Sequence, residues 1–161
     1  MDGVESDNEN ILIIGATNAP WDVDSAFRRT GRFDRVFFVP PPDAKAREQI
    51  FHLYLHELPI QNIDFKALAL QTPHFSGADI KGVVDRVSES VIEEILESGE
   101  DGFIDQSVLM EEIKSAKATT MEWFSMAKNV VEYANENGIY DELAEYMRCE
   151  IEGKRKKMGF L

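Results

Sequence analysis

The chain has 161 residues, 43% of them hydrophobic and 29% charged, with a formal net charge of −13. That balance is ordinary for a folded globular protein, and the acidic excess argues against nucleic-acid binding as the main task. One cysteine, Cys149, excludes an internal disulfide framework, and the absence of a leader or of a membrane-length apolar run points to a cytoplasmic protein with no membrane association.

Residues 1–10 are polar and read as a loop. Ile11–Ile14 is a continuous β-branched apolar run, the pattern of a strand buried on both faces of a parallel sheet, and it leads into Gly15-Ala-Thr-Asn18. Asp24 can cap a short helix over 25–30, with Gly31 ending it. Val36–Val39 is a second candidate strand. Three prolines, Pro40 to Pro42, then form a stiff connector that cannot be helix interior, which places a subdomain boundary there.

From Asp43 onward the pattern is helical. Asp43 caps a helix whose inner side is Ala46, Ile50, Leu53, Tyr54 and Leu58, broken by Pro59 and Asn62. Asp64 begins a short helix to about Gln71, and Pro73 ends it. Ser76-Gly-Ala-Asp79 is a capping box opening a long helix with Ile80, Val83, Val84, Val87, Val91 and Ile95 along one stripe. Gly99 and Gly102 close that helix, Phe103-Ile104 is a short extended piece, and 106–117 is a fourth helix. A Thr119-x-x-Glu122 box predicts a further helix with Trp123, Ala127, Val130 and Ala134 on one side, stopped by Gly138; Tyr140–Glu152 is the last, burying Leu143 and Met147.

The chemistry concentrates in two places. Arg28, Arg29, Arg32 and Arg35 crowd a single turn, and guanidinium forks suit phosphate oxygens or a neighbouring subunit. The competing use of these arginines is surface pairing with Asp22, Asp24 or Asp34, which is the role expected for Arg28 and Arg35. His52 and His56 lack a third metal ligand at suitable spacing and read as a solvated helix face. No HExxH sequence occurs, so nothing indicates a fused zinc protease. The basic run Lys154–Lys157 reads as a solvated tail.

Gly15-Ala-Thr-Asn18, Gly31-Arg-Phe-Asp-Arg35, Pro41-Pro-Asp43, Arg47-Glu-Gln-Ile50 and Phe75-Ser-Gly-Ala-Asp79 together resemble the C-terminal half of an AAA-type (AAA+) ATPase module. The resemblance covers residues 1–118 in order; Pro20-Trp-Asp-Val-Asp24 is similar to the spastin–katanin branch, and Gly31-Arg-Phe-Asp-Arg35 to the branch that unfolds proteins. Residues 119–161 carry no such resemblance. It implies an incomplete P-loop NTPase fragment of α/β class, predominantly α: two strands of a parallel sheet over 1–42, a four-helix lid over 43–118 and a C-terminal helical extension over 119–161.

The resemblance also implies roles. Asn18 matches sensor 1, where a neutral amide orients the attacking water. Arg29 and Arg32 match arginine fingers acting in trans on the next subunit of a homo-oligomeric ring, a hexamer in the family. Gly77 and Ala78 match the lid turn that passes the adenine. Tyr54 stands where many relatives carry His near the base, and it can either stack there or serve the lid core. The complete module would use ATP with Mg2+ and act on a protein substrate.

The chain nevertheless holds no G-x-x-x-x-G-K-[ST] loop and no apolar strand ending in Asp-Glu. The fragment alone is therefore expected to bind no nucleotide and to hydrolyse none. Its two sheet strands would flank an empty slot, leaving the lid as the well-formed part. The alternative function is a non-catalytic helical fragment that binds a protein partner.

Overall fold

The computed structural model describes residues 11–135 and 138–157. The loop expected over 1–10 and the side chains of Lys154–Lys157 lie outside them. The chain divides into two compact units, one of residues 40–128 and the other of residues 1–39 with 129–161.

The first of these is built by local capping chemistry. Helix α1 (Ala44–Leu55) starts where the Asp43 carboxylate accepts the Ala46 N–H at 2.7 Å, and α2 (Phe65–Gln71) starts where Asp64 accepts the Ala67 N–H at 2.9 Å. Helix α3 (Gly77–Ser98) opens on the reciprocal Ser76–Asp79 box. It ends at Gly99, whose φ of 72° supplies the left-handed cap. Helix α4 (Gln106–Ser115) is capped by Asp105, and α5 (Thr119–Tyr133) follows. Strand β1 (Ile60–Gln61) pairs in parallel with β2 (Ile104–Asp105), Ile60 opposite Ile104.

Phe51, Leu55, Leu68, Ile80, Val83, Val87, Ile104 and Leu109 form the centre of the core, with exposures of 2% or less. Each such side chain contributes about 1.5–3 kcal/mol by leaving water. The α3 stripe is as expected, with Ile95 partly buried against the cluster. Of the residues expected on the inner side of helix α1, Ile50, Tyr54 and Leu58 are partly buried against the core, whereas Leu53 is 65% exposed and the most buried positions are Arg47, Phe51 and Leu55.

The architecture is the expected one, mostly helical with a two-stranded parallel sheet, but different residues make the strands. Ile11–Ile14 and Val36–Val39 form no ladder, and Leu12, Ile14 and Val39 are each more than 80% exposed. The reason is physical. An extended run becomes a strand only when a neighbour satisfies its N–H and C=O groups. Among the described residues no strand lies beside either segment.

In the second unit two 3-10 turns (Pro20–Asp22 and Ser25–Arg28) follow residues 11–19, and α6 (Asp141–Lys157) supports residues 36–39. The Phe38 N–H donates to Glu142 Oε2 at 3.2 Å, and the Phe38 and Tyr146 rings lie 5.4 Å apart. Leu143 is buried as expected, whereas Ala134 falls past the end of α5 and is exposed.

Candidate functional site

The arginine-bearing turn is shaped by its own backbone. Asp24 caps the second 3-10 turn, its Oδ1 accepting the Ala26 N–H at 2.7 Å. Gly31, at φ 83°, reverses the chain in a conformation that costs a residue with a Cβ about 1–2 kcal/mol. The Arg32 N–H then donates to the Arg29 carbonyl at 3.1 Å and the Phe33 N–H to the Phe27 carbonyl at 3.0 Å. Phe33 lies against the backbone at Gly15, so close that a Cβ there would sit 3.3 Å from the ring. The segment ending in Asn18 and the turn carrying the arginines are thereby held together.

Arg29 is exposed, and Arg32 is exposed with one guanidinium nitrogen donating to the Ala26 carbonyl at 2.9 Å. Among the described residues none of Arg28, Arg29, Arg32 and Arg35 forms an ion pair. This corrects the pairing expected for Arg28 and Arg35. Asp24 and Asp34 instead accept backbone N–H groups, of Ala26 and Gly31 respectively. Arg28 is half-buried, and its Nε has no hydrogen-bond partner. Asn18 is exposed at the end of its segment.

The lid turn is assembled in the other unit. Gly77 is the first residue of α3, and Ile50 of α1 would touch a Cβ placed on it at 3.9 Å. Tyr54, one turn beyond Ile50, is half-buried against the lid core and within electrostatic reach of Lys81, one turn beyond Gly77. Lys81 hydrogen-bonds Asp85, which raises its pKa above the usual lysine value against opposing desolvation. Helix packing thus gathers Tyr54, Gly77 and Ala78 at one end of the α1–α3 contact, Ala78 facing solvent.

His52 stacks on Phe65, ring centroids 3.6 Å apart, and no cluster of three potential metal ligands occurs among the described residues.

Two family models match: "ATPase family associated with various cellular activities (AAA)" over residues 1–41 and "AAA+ lid domain" over residues 62–106, together more than half of the chain. The chain belongs to the AAA+ ATPase family. It carries the C-terminal half of the AAA+ module. An ATP-dependent zinc metalloprotease of Arabidopsis thaliana, FTSH 11, is 48% identical over 86 residues, 53% of this chain and 10% of that protein. Mouse vacuolar protein sorting-associated protein 4B is 44% identical over 86 residues, 52% of this chain and 19% of that protein. FtsH of Caulobacter vibrioides is 37% identical over 132 residues, 81% of this chain and 18% of that protein. A match that long must include part of residues 119–161, for which sequence reading finds no resemblance. The chain spans less than a fifth of the length of these relatives.

Within the AAA+ frame several structural residues escaped the sequence reading. Arg47, the first residue of the Arg47-Glu-Gln-Ile50 segment, is buried, donating from Nε and one terminal nitrogen to the Ala69 carbonyl (3.3 and 2.9 Å) and from the other to the Pro42 carbonyl (2.7 Å). Thr72, fully buried, returns its hydroxyl to the Leu68 carbonyl at 2.9 Å. Thr120 donates its hydroxyl to the His74 carbonyl. Only the first of these had a local signal, an arginine at helical spacing from Phe51 and Leu55.

Proposed function

We propose that this chain is the C-terminal part of an AAA+ ATPase that couples ATP binding and hydrolysis to remodelling or unfolding of a protein substrate. In this reading Asn18 is sensor 1 and orients the attacking water. Arg29 and Arg32 reach into the neighbouring subunit's site in a homo-oligomeric ring, a hexamer, and neutralise charge as the γ-phosphoryl transfers. Gly77, Ala78 and Tyr54 line the adenine side of the lid. The lone cysteine suits a reducing compartment such as the cytoplasm.

The observation that carries the reading is the presentation of the arginines. Arg29 and Arg32 stand exposed on a turn held by its own backbone and, among the described residues, form no ion pair although three aspartates lie within the same stretch. A cation left unpaired at that density of acids is available to an anion supplied from outside.

The residues present fit the base and the transferring charge. They do not fit the β-phosphate or Mg2+, because the chain contains neither a phosphate loop nor an Asp-Glu strand end. ATP, when bound, supplies the phosphoanhydride that is cleaved; these residues orient, neutralise and exclude water around it.

The test places residues 1–161 after the phosphate-loop half of a relative's module and compares ATP turnover with Arg29→Ala and Arg32→Ala. Loss of kcat by about 10³ or more, with assembly and ATP binding retained, is the expected result. Unchanged turnover in both variants, with assembly intact, would remove the finger assignment and favour the non-catalytic interaction fragment.

A further inference from the structure

We propose that Thr120 is a positioning residue for the adenine-side turn of the lid, acting from outside both segments that match the family models. The proposal rests on the reading of Gly77 and Ala78 given above.

The turn from His74 to Asp79 is held at both ends by the first residues of α5. At one end the Thr120 hydroxyl donates to the His74 carbonyl. His74 adopts φ 66°, a left-handed conformation that a residue with a Cβ keeps only when its surroundings hold it. At the other end the Thr119 N–H donates to Asp79 Oδ1 at 3.4 Å, while Oδ2 of the same carboxylate accepts the Ser76 N–H at 2.8 Å and the Ser76 hydroxyl at 2.9 Å. Gly77 and Ala78 lie between these two attachments.

The consequence is directional. The capping box sets where α3 begins, and the Phe75 N–H, donating to the Thr72 carbonyl at 3.3 Å, closes the turn in which His74 holds its left-handed φ. The Thr120 hydroxyl adds a hold on the carbonyl side of the same peptide, and Phe75, 5% exposed, anchors the next residue in the core. The backbone at Gly77 and Ala78 is thus presented to a flat ligand in one conformation, so ordering it is not charged to binding. Threonine suits the position because its methyl tolerates a half-buried site while its hydroxyl donates.

The test uses the fusion of residues 1–161 to the phosphate-loop half of a relative's module and the photoreactive probe 8-azido-ATP, with labelled peptides mapped by mass spectrometry and unlabelled ATP or CTP as competitors. The variants are Thr120→Val, which keeps shape and loses the donor, and Thr120→Ser, which keeps the donor. Labelling of the peptide spanning 73–81 is expected, displaced by ATP better than by CTP. It should fall about fivefold in Thr120→Val, the net worth of one hydrogen bond, and return in Thr120→Ser. Far-UV circular dichroism and the unfolding midpoint should stay close to those of the parent. Base-selective labelling of 73–81 that is equal in parent and Thr120→Val overturns the role of Thr120 alone. Absence of base-selective labelling there in the parent overturns the adenine-side reading and this proposal with it. A loss in Thr120→Val that Thr120→Ser does not restore overturns the hydrogen-bond account.

Discussion

Replacing Arg47 offers the sharpest check on how the lid is held. Its guanidinium donates twice to the Ala69 carbonyl near the end of α2 and once to the Pro42 carbonyl ahead of α1. Hydrogen bonds to a charged group are worth about 1.5–3 kcal/mol each, but two of these share one acceptor and are not additive. Arg47→Met keeps most of the aliphatic packing and strips the donors, so a cost of about 3 kcal/mol is expected. For a unit of this size each kcal/mol lowers the unfolding midpoint by about 4–8 °C, giving a fall of roughly 12–24 °C. Arg47→Lys retains the charge but not the fork, and should lose about half as much. Thermal unfolding followed by far-UV circular dichroism reads both. A midpoint for Arg47→Met within about 3 °C of the parent would refute the argument, since less than one hydrogen bond would then have been lost.

Two glycines should respond differently to alanine. A methyl at Gly102 would lie 2.8 Å from Ile95 Cγ1 and 3.0 Å from Val91 Cγ1, so overpacking costs about 1–3 kcal/mol, whereas Gly99 has open space and pays only for its left-handed φ, about 1–2 kcal/mol. Urea denaturation should show Gly102→Ala as the more damaging of the two and should show repacking at Val91 by methyl chemical shifts; a Gly99→Ala protein with those same shifts would contradict the packing account. Asp105 has its pKa lowered below the ordinary aspartate value of 3.8, chiefly by the Ser107 hydroxyl and then by the Val108 N–H. Its capping contribution is therefore complete above that value and lost as pH falls through the lower folded-state value, so amide protection at the start of α4, taken relative to the intrinsic exchange rate at each pH, should fall in acid for the parent and stay flat for Asp105→Asn. Equal acid responses in the two would exclude the carboxylate as the cause.

Helix starts were readable because they are local events. Asp43, Asp64 and the Ser76–Asp79 box each satisfy N–H groups two or three residues away, and their residue types announce it. Of the residues expected inward on α1, Ile50, Tyr54 and Leu58 do meet the core, but the polar type of Arg47 conceals the 47–51–55 stripe, and Leu53 faces outward instead. Ile11–Ile14 and Val36–Val39 have strand composition, but pairing is a property of two segments and neither has its neighbour here. Strand β1 was invisible for the converse reason, two residues between Pro59 and Asn62 whose partner arrives only at Ile104. Of the site, Asn18, Arg29 and Arg32 were reached through motif resemblance. The Thr120 bond to His74 joins residues 46 apart in sequence, and no pattern within either segment encodes it.

The β1–β2 pair imposes an order in time. Ile60 has nothing to pair with until α2 and α3 have been synthesised and Ile104 has followed them, and a parallel contact across so long a loop is slow to close. Ile104 is 1% exposed, and its N–H also binds the Pro59 carbonyl at 2.9 Å. On a ribosome, helices α1 to α3 would wait as a loose assembly with a gap at their centre. Ile104, with Leu109 of α4 arriving just behind it, would fill that gap.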